Sequence, residues 1–177
     1  MMKKLVILAH PNIDDSKVNK RWKDELLRYP DDIIVHELYK EYPDWKIDVE
    51  QEQQMLESYD TIIFQFPLYW YNCPPLFKKW MDDVFTYGWA YGSKGKKLEG
   101  KKIGIAVSIG SKEDEYQHTG LLSYTVDEIV TPFKATAKYV GATVLPYFAV
   151  FGTAFQMSDE EIYRSSKGYV DYIRQLC

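Results

Sequence analysis

Short continuous apolar runs and stripes of apolar residues at helical spacing alternate along this chain. Continuous runs of this kind are typical of strands that are buried on both faces of a sheet. We expect strands over residues 4–9, 33–35, 61–66, 103–109 and 143–151. Helical spacing or helix-start signals predict helices over residues 16–29, 48–58, 74–85, 124–140 and 158–175. A chain that alternates strands with helices in this way favours a parallel sheet covered by helices on both faces.

Local signals mark where several of these helices begin. Ser16, which follows two aspartates, is a good capping residue directly before the first helical stripe. Pro75 suits a first helical turn, and Ser158 with Glu161 forms a capping box before the last helix. No repeat or linker interrupts residues 1–177, so we predict a single doubly wound α/β domain. In such sheets ligands bind beyond the carboxyl ends of the strands, which here are followed by three loops of interest.

Composition and charge exclude several classes of protein. Lys and Arg number 22 against 26 Asp and Glu, so the chain lacks the basic surface that nucleic-acid binding usually needs. The two cysteines, Cys73 and Cys177, cannot build a disulfide scaffold. The first apolar run stops at His10-Pro11, too short for a secretory signal, so we expect a cytoplasmic protein. The aromatic content of 16% fits either a stacking surface for a flat ligand or partner, or simply a Tyr-rich core and surface.

The first loop, residues 10–19, has the features of a phosphate site without a glycine-rich fingerprint. A helix that starts near Ser16 presents amide N–H groups with no intrahelical partner, and these favour an anion. Ser16 and Asn19 lie on one side of that first turn, and His10 is close by in sequence. The two aspartates of the loop disfavour an anion unless they point away. The alternative is a capped helix after a strand-terminal histidine.

The second loop supplies aromatic side chains that could flank a ligand, and the third supplies candidate acid–base groups. Leu68, Trp70 and Tyr71 follow the third strand and could flank a flat ring, or could only seal the core. Tyr116 and His118 follow the fourth strand, on an acidic segment that we expect to be a solvated lip. They are its candidate acid–base residues, the alternative being surface residues without a role. No spacing of His and Cys indicates a metal site.

Several motifs together resemble one family. They are His10-Pro11 with Ser16-x-x-Asn19, Phe66-Pro67-Leu68-Tyr69-Trp70-Tyr71, and Pro75-Leu76-x-Lys78-x-Trp80-Met81-Asp82. The chain resembles the flavodoxin-like NAD(P)H:quinone oxidoreductases over roughly residues 3–152. It is most similar to their short bacterial members, which include general-stress-type reductases and ancillary subunits of potassium efflux systems. One departure is Ser108-Ile109-Gly110-Ser111, where the family often has Thr-Gly-Gly.

The resemblance implies a fold, a cofactor and an activity. The fold would be a flavodoxin-like, five-stranded parallel sheet of order 2-1-3-4-5, in a homodimer that binds FMN rather than FAD. Hydride would pass from NAD(P)H through the flavin to a quinone or similar flat acceptor, with ping-pong kinetics if both use the same face of the flavin.

The resemblance also assigns residues by position. The phosphate would be held by His10, Ser16, Val18 and Asn19. One side of the flavin ring would be held by Pro67, Leu68, Tyr69, Trp70 and Tyr71. The other side would be closed by Ser108, Ile109, Gly110, Ser111 and Tyr116. Trp89 and Tyr91 would reach a partner subunit's site, and Tyr116 and His118 would orient or protonate the acceptor.

Two other functions remain open at this point. The protein could be a regulatory flavoprotein subunit of a membrane potassium efflux system, an alternative that can coexist with enzyme activity. It could also be an electron carrier, although such carriers need a Ser/Thr/Gly-rich phosphate loop that this chain lacks.

Overall fold

A single parallel sheet organises the protein, whose computed structural model describes residues 3–176. Its strands are β1 (Lys4–Leu8), β2 (Ile33–Glu37), β3 (Thr61–Pro67), β4 (Lys102–Ser108), β5 (Thr143–Val144) and β6 (Phe148–Val150). The order is β2-β1-β3-β4-β5, and β6 also pairs with β4. The predicted parallel sheet of order 2-1-3-4-5 is therefore confirmed, with a sixth strand added.

The sixth strand arises because the predicted strand 143–151 is divided in two. Leu145 N–H still donates to the carbonyl of Ile103 at 2.8 Å, after which the chain reaches Pro146. Proline has no N–H group to donate to a ladder, so pairing stops there. It resumes at Phe148, which lies opposite Ala106 of β4.

Seven α-helices lie within residues 3–176, six between strands and the seventh after the last strand. They are α1 (Lys17–Leu26), α2 (Leu38–Glu41), α3 (Val49–Glu57), α4 (Pro75–Val84), α5 (Val126–Ile129), α6 (Thr131–Tyr139) and α7 (Asp159–Gln175). The sequence pattern did not predict α2, and the helix predicted over 124–140 is two helices. A proline inside one continuous helix would clash with the carbonyl four residues before it. The chain instead starts a new helix with Pro132 in its first turn.

Two buried layers confirm that helices cover both faces of the sheet. On one face, Trp22 of α1 packs beside Tyr169 of α7, with ring centres 4.8 Å apart. On the other face, Phe77 of α4 packs on Phe66 of β3, and Phe133 of α6 completes the cluster. Much of the aromatic content is thus core. Among residues 3–176, no helix is both long enough and apolar enough to cross a membrane.

Candidate active site

The start of α1 is built as an anion-binding end of a helix. Ser16 is the N-cap, and its Oγ accepts the N–H of Asn19 at 3.0 Å. The amides of Lys17 and Val18, the first two residues of the helix, have no intrahelical acceptor. Because α1 follows β1 at the carboxyl edge of the sheet, these donors face the point between β1 and β3 where the strand order reverses.

A cavity of about 370 Å³ opens at that point. The predicted residues that line it are His10, Ser16, Val18, Asn19, Pro67 and Ser108. The residues that sequence reasoning missed are Asp15, Lys17, Thr153, Ala154 and Phe155. The structure thus places residues that follow three strands, β1, β3 and β4, around one space at the carboxyl edge of the sheet.

A buried amide network forms beside this cavity. The Asn19 side chain donates through Nδ2 to Ser108 Oγ at 2.8 Å, and its Oδ1 accepts from Gln65 Nε2 at 3.3 Å. Asn19, Gln65 and Ser108 are all buried. The oxygen of the Gln65 side-chain amide, Oε1, is buried without a hydrogen-bond partner among the described residues. Gln65 was missed by sequence reasoning, although a glutamine inside a buried strand is itself an unusual signal.

His10 is positioned as a neutral donor. Its Nδ1 accepts the backbone N–H of Asn12 at 3.1 Å, which leaves the ring proton on Nε2. Burial lowers the pKa of His10, so the ring is neutral at physiological pH. His10 therefore offers one N–H group and no positive charge.

The two aspartates of this loop are each tied to another side chain. Asp14 is mostly exposed and forms a 3.1 Å ion pair with Lys20, which lowers the pKa of its carboxyl. Asp15 accepts a hydrogen bond from the side chain of Asn12 and still lines the cavity. The helix N-terminus and Lys17 therefore share the cavity with one carboxylate, that of Asp15, which accepts a hydrogen bond from the neutral Asn12 amide.

The loop after β3 is a tight turn with two aromatic residues at its tip. Tyr69 and Asn72 exchange backbone hydrogen bonds of 2.7 and 2.9 Å. Trp70 and Tyr71 between them have φ values of 46° and 62°, in the left-handed region that favours glycine and asparagine. Trp70 is 91% exposed, so no buried packing of its ring explains the conformation. Strain of this kind is concentrated at functional sites.

Tyr116 is placed differently from the solvated lip expected for it. It is buried, and its ring packs against Phe151 with centres 5.8 Å apart. Burial raises the pKa of Tyr116, and the nearby Tyr71 and Glu115 raise it further, while a hydrogen bond with Ser111 opposes them. Tyr116 therefore packs beside the end of β6, and it does not line the cavity at the start of α1.

His118 does not join this group. Its ring is exposed, with Nδ1 lying 3.8 Å from the carboxylate of Glu128, and it does not line the cavity. Ile109 is also separate, because its side chain is buried in the core. Its backbone N–H and carbonyl bond to Val150 and Thr153 respectively.

A fourth loop, residues 151–155 after β6, completes the cavity. The amides of Gly152 and Ala154 donate to the carbonyls of Ser111 and Gly110 at 2.8 and 3.2 Å. A Cβ at Gly110 would lie 3.3 Å from the methyl of Ala154, so glycine permits this close approach. The sequence did contain a signal for this loop. The predicted strand 143–151 is parallel to the others, so the residues after it must lie at the same carboxyl edge of the sheet.

Trp89 and Tyr91 lie at the opposite, amino-terminal edge of the sheet, in the loop between α4 and β4. Trp89 Nε1 donates to the carboxylate of Glu57 at 2.8 Å. Tyr91 packs against Tyr87 and Tyr139, with ring centres 5.8 and 5.7 Å away. Within one chain these residues are not part of the cavity.

Comparisons with known proteins give this geometry a context. A family model described as flavodoxin-like fold matches residues 2–173. The chain is 50% identical over 175 residues to an uncharacterized NAD(P)H oxidoreductase of Bacillus subtilis (strain 168), YdeQ, and the match covers 99% of this chain and 88% of the relative.

Two crystal structures are similar over nearly their whole length. One is general stress protein 14 of Treponema denticola in complex with FMN, with a TM-score of 0.94, 46% identity and 99% of both chains covered. Another is an NADPH-quinone reductase of P. pentosaceus, with a TM-score of 0.89, 33% identity and coverage of 99% of this chain and 100% of the other.

Proposed function

This chain belongs to the flavodoxin-like fold family, and from that premise we propose that it is an FMN-dependent NAD(P)H oxidoreductase that reduces a quinone-like acceptor. The observation that carries the proposal is the 370 Å³ cavity, where the start of α1 meets the carboxyl ends of β3 and β4. Relatives named NAD(P)H oxidoreductase and NADPH-quinone reductase support it, as does the FMN complex of general stress protein 14.

The residues around the cavity fit FMN at its phosphate end. The amides of Lys17 and Val18, the positive end of α1 and the N–H of His10 suit a phosphate dianion. Among residues 3–176, Lys17 is the one cationic side chain that lines the cavity. The phosphate would be held mainly by backbone groups, since the side chain of Asn19 is engaged with Ser108 and Gln65.

The buried network meets the cavity through Asn19 and Ser108, which both line it. Behind them, Gln65 Oε1 has no donor among residues 3–176, and an unsatisfied buried acceptor costs roughly 1–3 kcal/mol. The ribityl chain of FMN carries hydroxyl groups that would face the Asn19 and Ser108 side of the cavity.

The aromatic turn and Tyr116 fit the flavin ring. When bound, the flavin supplies the redox chemistry, taking a hydride from NAD(P)H and passing two electrons to the acceptor. In this proposal the exposed ring of Trp70 and the ring of Tyr71 would flank the flavin on one side, and the backbone of Gly110 and Ser111 would close the other. The Tyr116 phenol is protonated at neutral pH, and burial raises its pKa further, so its hydroxyl would serve the acceptor as a hydrogen-bond or proton donor.

We propose further that nicotinamide and acceptor occupy the same face of the flavin in turn, which requires ping-pong kinetics.

We also propose a homodimer in which Trp89 and Tyr91 approach the partner subunit's site. Support for the dimer comes from the exposed ring surfaces of Tyr87 and Tyr139 beside Tyr91. Two-fold association is also the commonest oligomeric state.

The test is a flavin titration followed by anaerobic reduction. Protein freed of flavin is titrated with FMN by fluorescence quenching, and the visible spectrum is recorded before and after NADH or NADPH. We expect stoichiometric binding, bleaching by a reduced nicotinamide, and recovery of the band on adding a benzoquinone. Failure to bind FMN would refute the cofactor, and bound FMN that neither nucleotide bleaches would refute the activity.

A further inference from the structure

Tyr39 provides an unusual cap for the start of α4. Its hydroxyl accepts the backbone N–H of Leu76 at 3.3 Å, from a different helix. A helix normally satisfies its first amides with an N-cap side chain, but here the N-cap is Pro74 and the first helical residue is Pro75. Neither proline can supply a capping side chain, so the phenol of Tyr39, a residue of α2, caps the helix instead.

This contact lies directly beside the aromatic turn. Only Cys73 and Pro74 separate Asn72, the last residue of the turn, from α4. The amide of Cys73 donates to Asn72 Oδ1 at 2.8 Å, which ties this short connection to the turn. Any shift in the start of α4 is therefore passed to the turn through a few ordered residues.

The Tyr39 ring is held by partial packing against the core and by the hydrogen bond of its hydroxyl. The ring is half-buried and meets Trp45 edge-on, with centres 6.3 Å apart. It also borders a cavity of about 490 Å³ that His10 lines as well. The ring therefore meets the core on one side and open space on the other, and its hydroxyl is the group that links it to the start of α4.

We propose that Tyr39 is a positioning residue for the flavin-binding turn: its hydroxyl holds the start of α4, and thereby the rings of Trp70 and Tyr71. The proposal rests on the proposed function, because it concerns how well these rings are placed against FMN. Tyr39 acts through the backbone of Leu76. It does not line the cavity at the start of α1.

The experiment compares Tyr39→Phe with the parent protein after flavin removal. The substitution keeps the ring and its contact with Trp45 and removes only the acceptor of the Leu76 amide. We expect the FMN Kd to rise about three- to tenfold, the size of effect of one neutral hydrogen bond. We also expect a changed circular dichroism signal of the bound flavin and faster hydrogen exchange of the Leu76 amide.

Tyr42→Phe is the matched control, because it removes a hydroxyl from the same segment without touching Leu76. Tyr42 donates to the Glu52 carboxylate at 2.6 Å, so the control loses stability but should keep the parent FMN Kd and flavin dichroism. An unchanged Kd and dichroism in Tyr39→Phe would overturn the proposal, as would an equal change in both variants. Failure of the parent to bind FMN would instead refute the proposed function.

Discussion

The side-chain amide of Asn19 donates a 2.8 Å hydrogen bond to the hydroxyl of Ser108, which lies 89 residues farther along the chain. The bond joins the first turn of α1 to the last residue of β4 inside the protein. It therefore holds the helix N-terminus against the carboxyl edge of the sheet, where the cavity opens.

Asn19→Ala should reduce both stability and FMN affinity. It leaves the Gln65 amide without its acceptor and Ser108 without its donor, which costs about 1–3 kcal/mol. The displaced helix start should weaken FMN at least tenfold, or about 1.4 kcal/mol. Urea unfolding and flavin titration measure the two effects. A double-mutant cycle of Asn19→Ala and Ser108→Ala isolates the bond between the two side chains. If the stability losses of the two single variants simply add in the double variant, the bond contributes nothing.

Trp70→Asn combined with Tyr71→Gly should stabilise the protein and weaken FMN. Asn-Gly is the sequence that favours positive φ at both positions of such a turn, and the relieved strain is of order 1 kcal/mol. The loss of two rings should raise the FMN Kd. Ser123→Gly is the control, since Ser123 also has a positive φ, 57°, but lies outside the turn. A double variant that binds FMN as the parent does would remove these rings from the site.

Glu52 should make stability depend on acidic pH. This buried carboxylate accepts hydrogen bonds from His36, Tyr42 and Trp80 at 2.7, 2.6 and 2.8 Å. Burial acts to raise the pKa of Glu52, but the interactions with His36, Tyr42 and Trp80 outweigh it, and the pKa is lowered.

A lowered folded pKa means that the contribution is complete above the unfolded value of about 4.3 and is lost as pH falls toward the folded value. Glu52→Gln should therefore lower stability at neutral pH by about 1–3 kcal/mol and flatten this acid dependence. Unfolding free energies measured between neutral and acidic pH test both effects. Parallel pH profiles for variant and parent would contradict the assignment.

Tyr116→Phe should slow acceptor reduction more than flavin reduction. The buried ring is retained, and only the hydroxyl that bonds with Ser111 is removed. A proton-transfer role is typically worth 10²–10⁴-fold, and a positioning role far less. Stopped-flow measurement of the two half-reactions, with a benzoquinone as acceptor, separates these roles. If the variant matches the parent in both half-reactions, Tyr116 has only a packing role. Steady-state double-reciprocal lines that intersect, rather than run parallel, would exclude ping-pong kinetics.

Tyr139→Glu should weaken self-association. Tyr139 is 74% exposed and packs against Tyr91, so a charge there would be buried in the proposed dimer. We expect the dimer Kd to rise at least tenfold in sedimentation equilibrium. Tyr124→Glu, at an exposed tyrosine of another segment, should leave the Kd unchanged. A parent protein that is monomeric at micromolar concentration with FMN bound would rule out the homodimer.

The sequence by itself determined the layered architecture and the edge at which the cavity forms. Continuous apolar runs identify strands buried on both faces, and helix signals between them require parallel pairing. Ser16 and the capping box at Ser158 mark helix starts through bonds to residues three positions away, which a local pattern can show. The residues after each strand then had to share one edge of the sheet.

Only the tertiary structure decided which side chains meet there and in what state. The pairing of Asn19 with Ser108, the burial of Tyr116 and the arrival of Thr153 at the cavity depend on strand register and on loops distant in sequence. The cap that Tyr39 provides for Leu76 has the same origin. Local patterns report interactions within a turn or a strand, whereas these contacts exist only because packing of the whole sheet brings separate elements within hydrogen-bond distance.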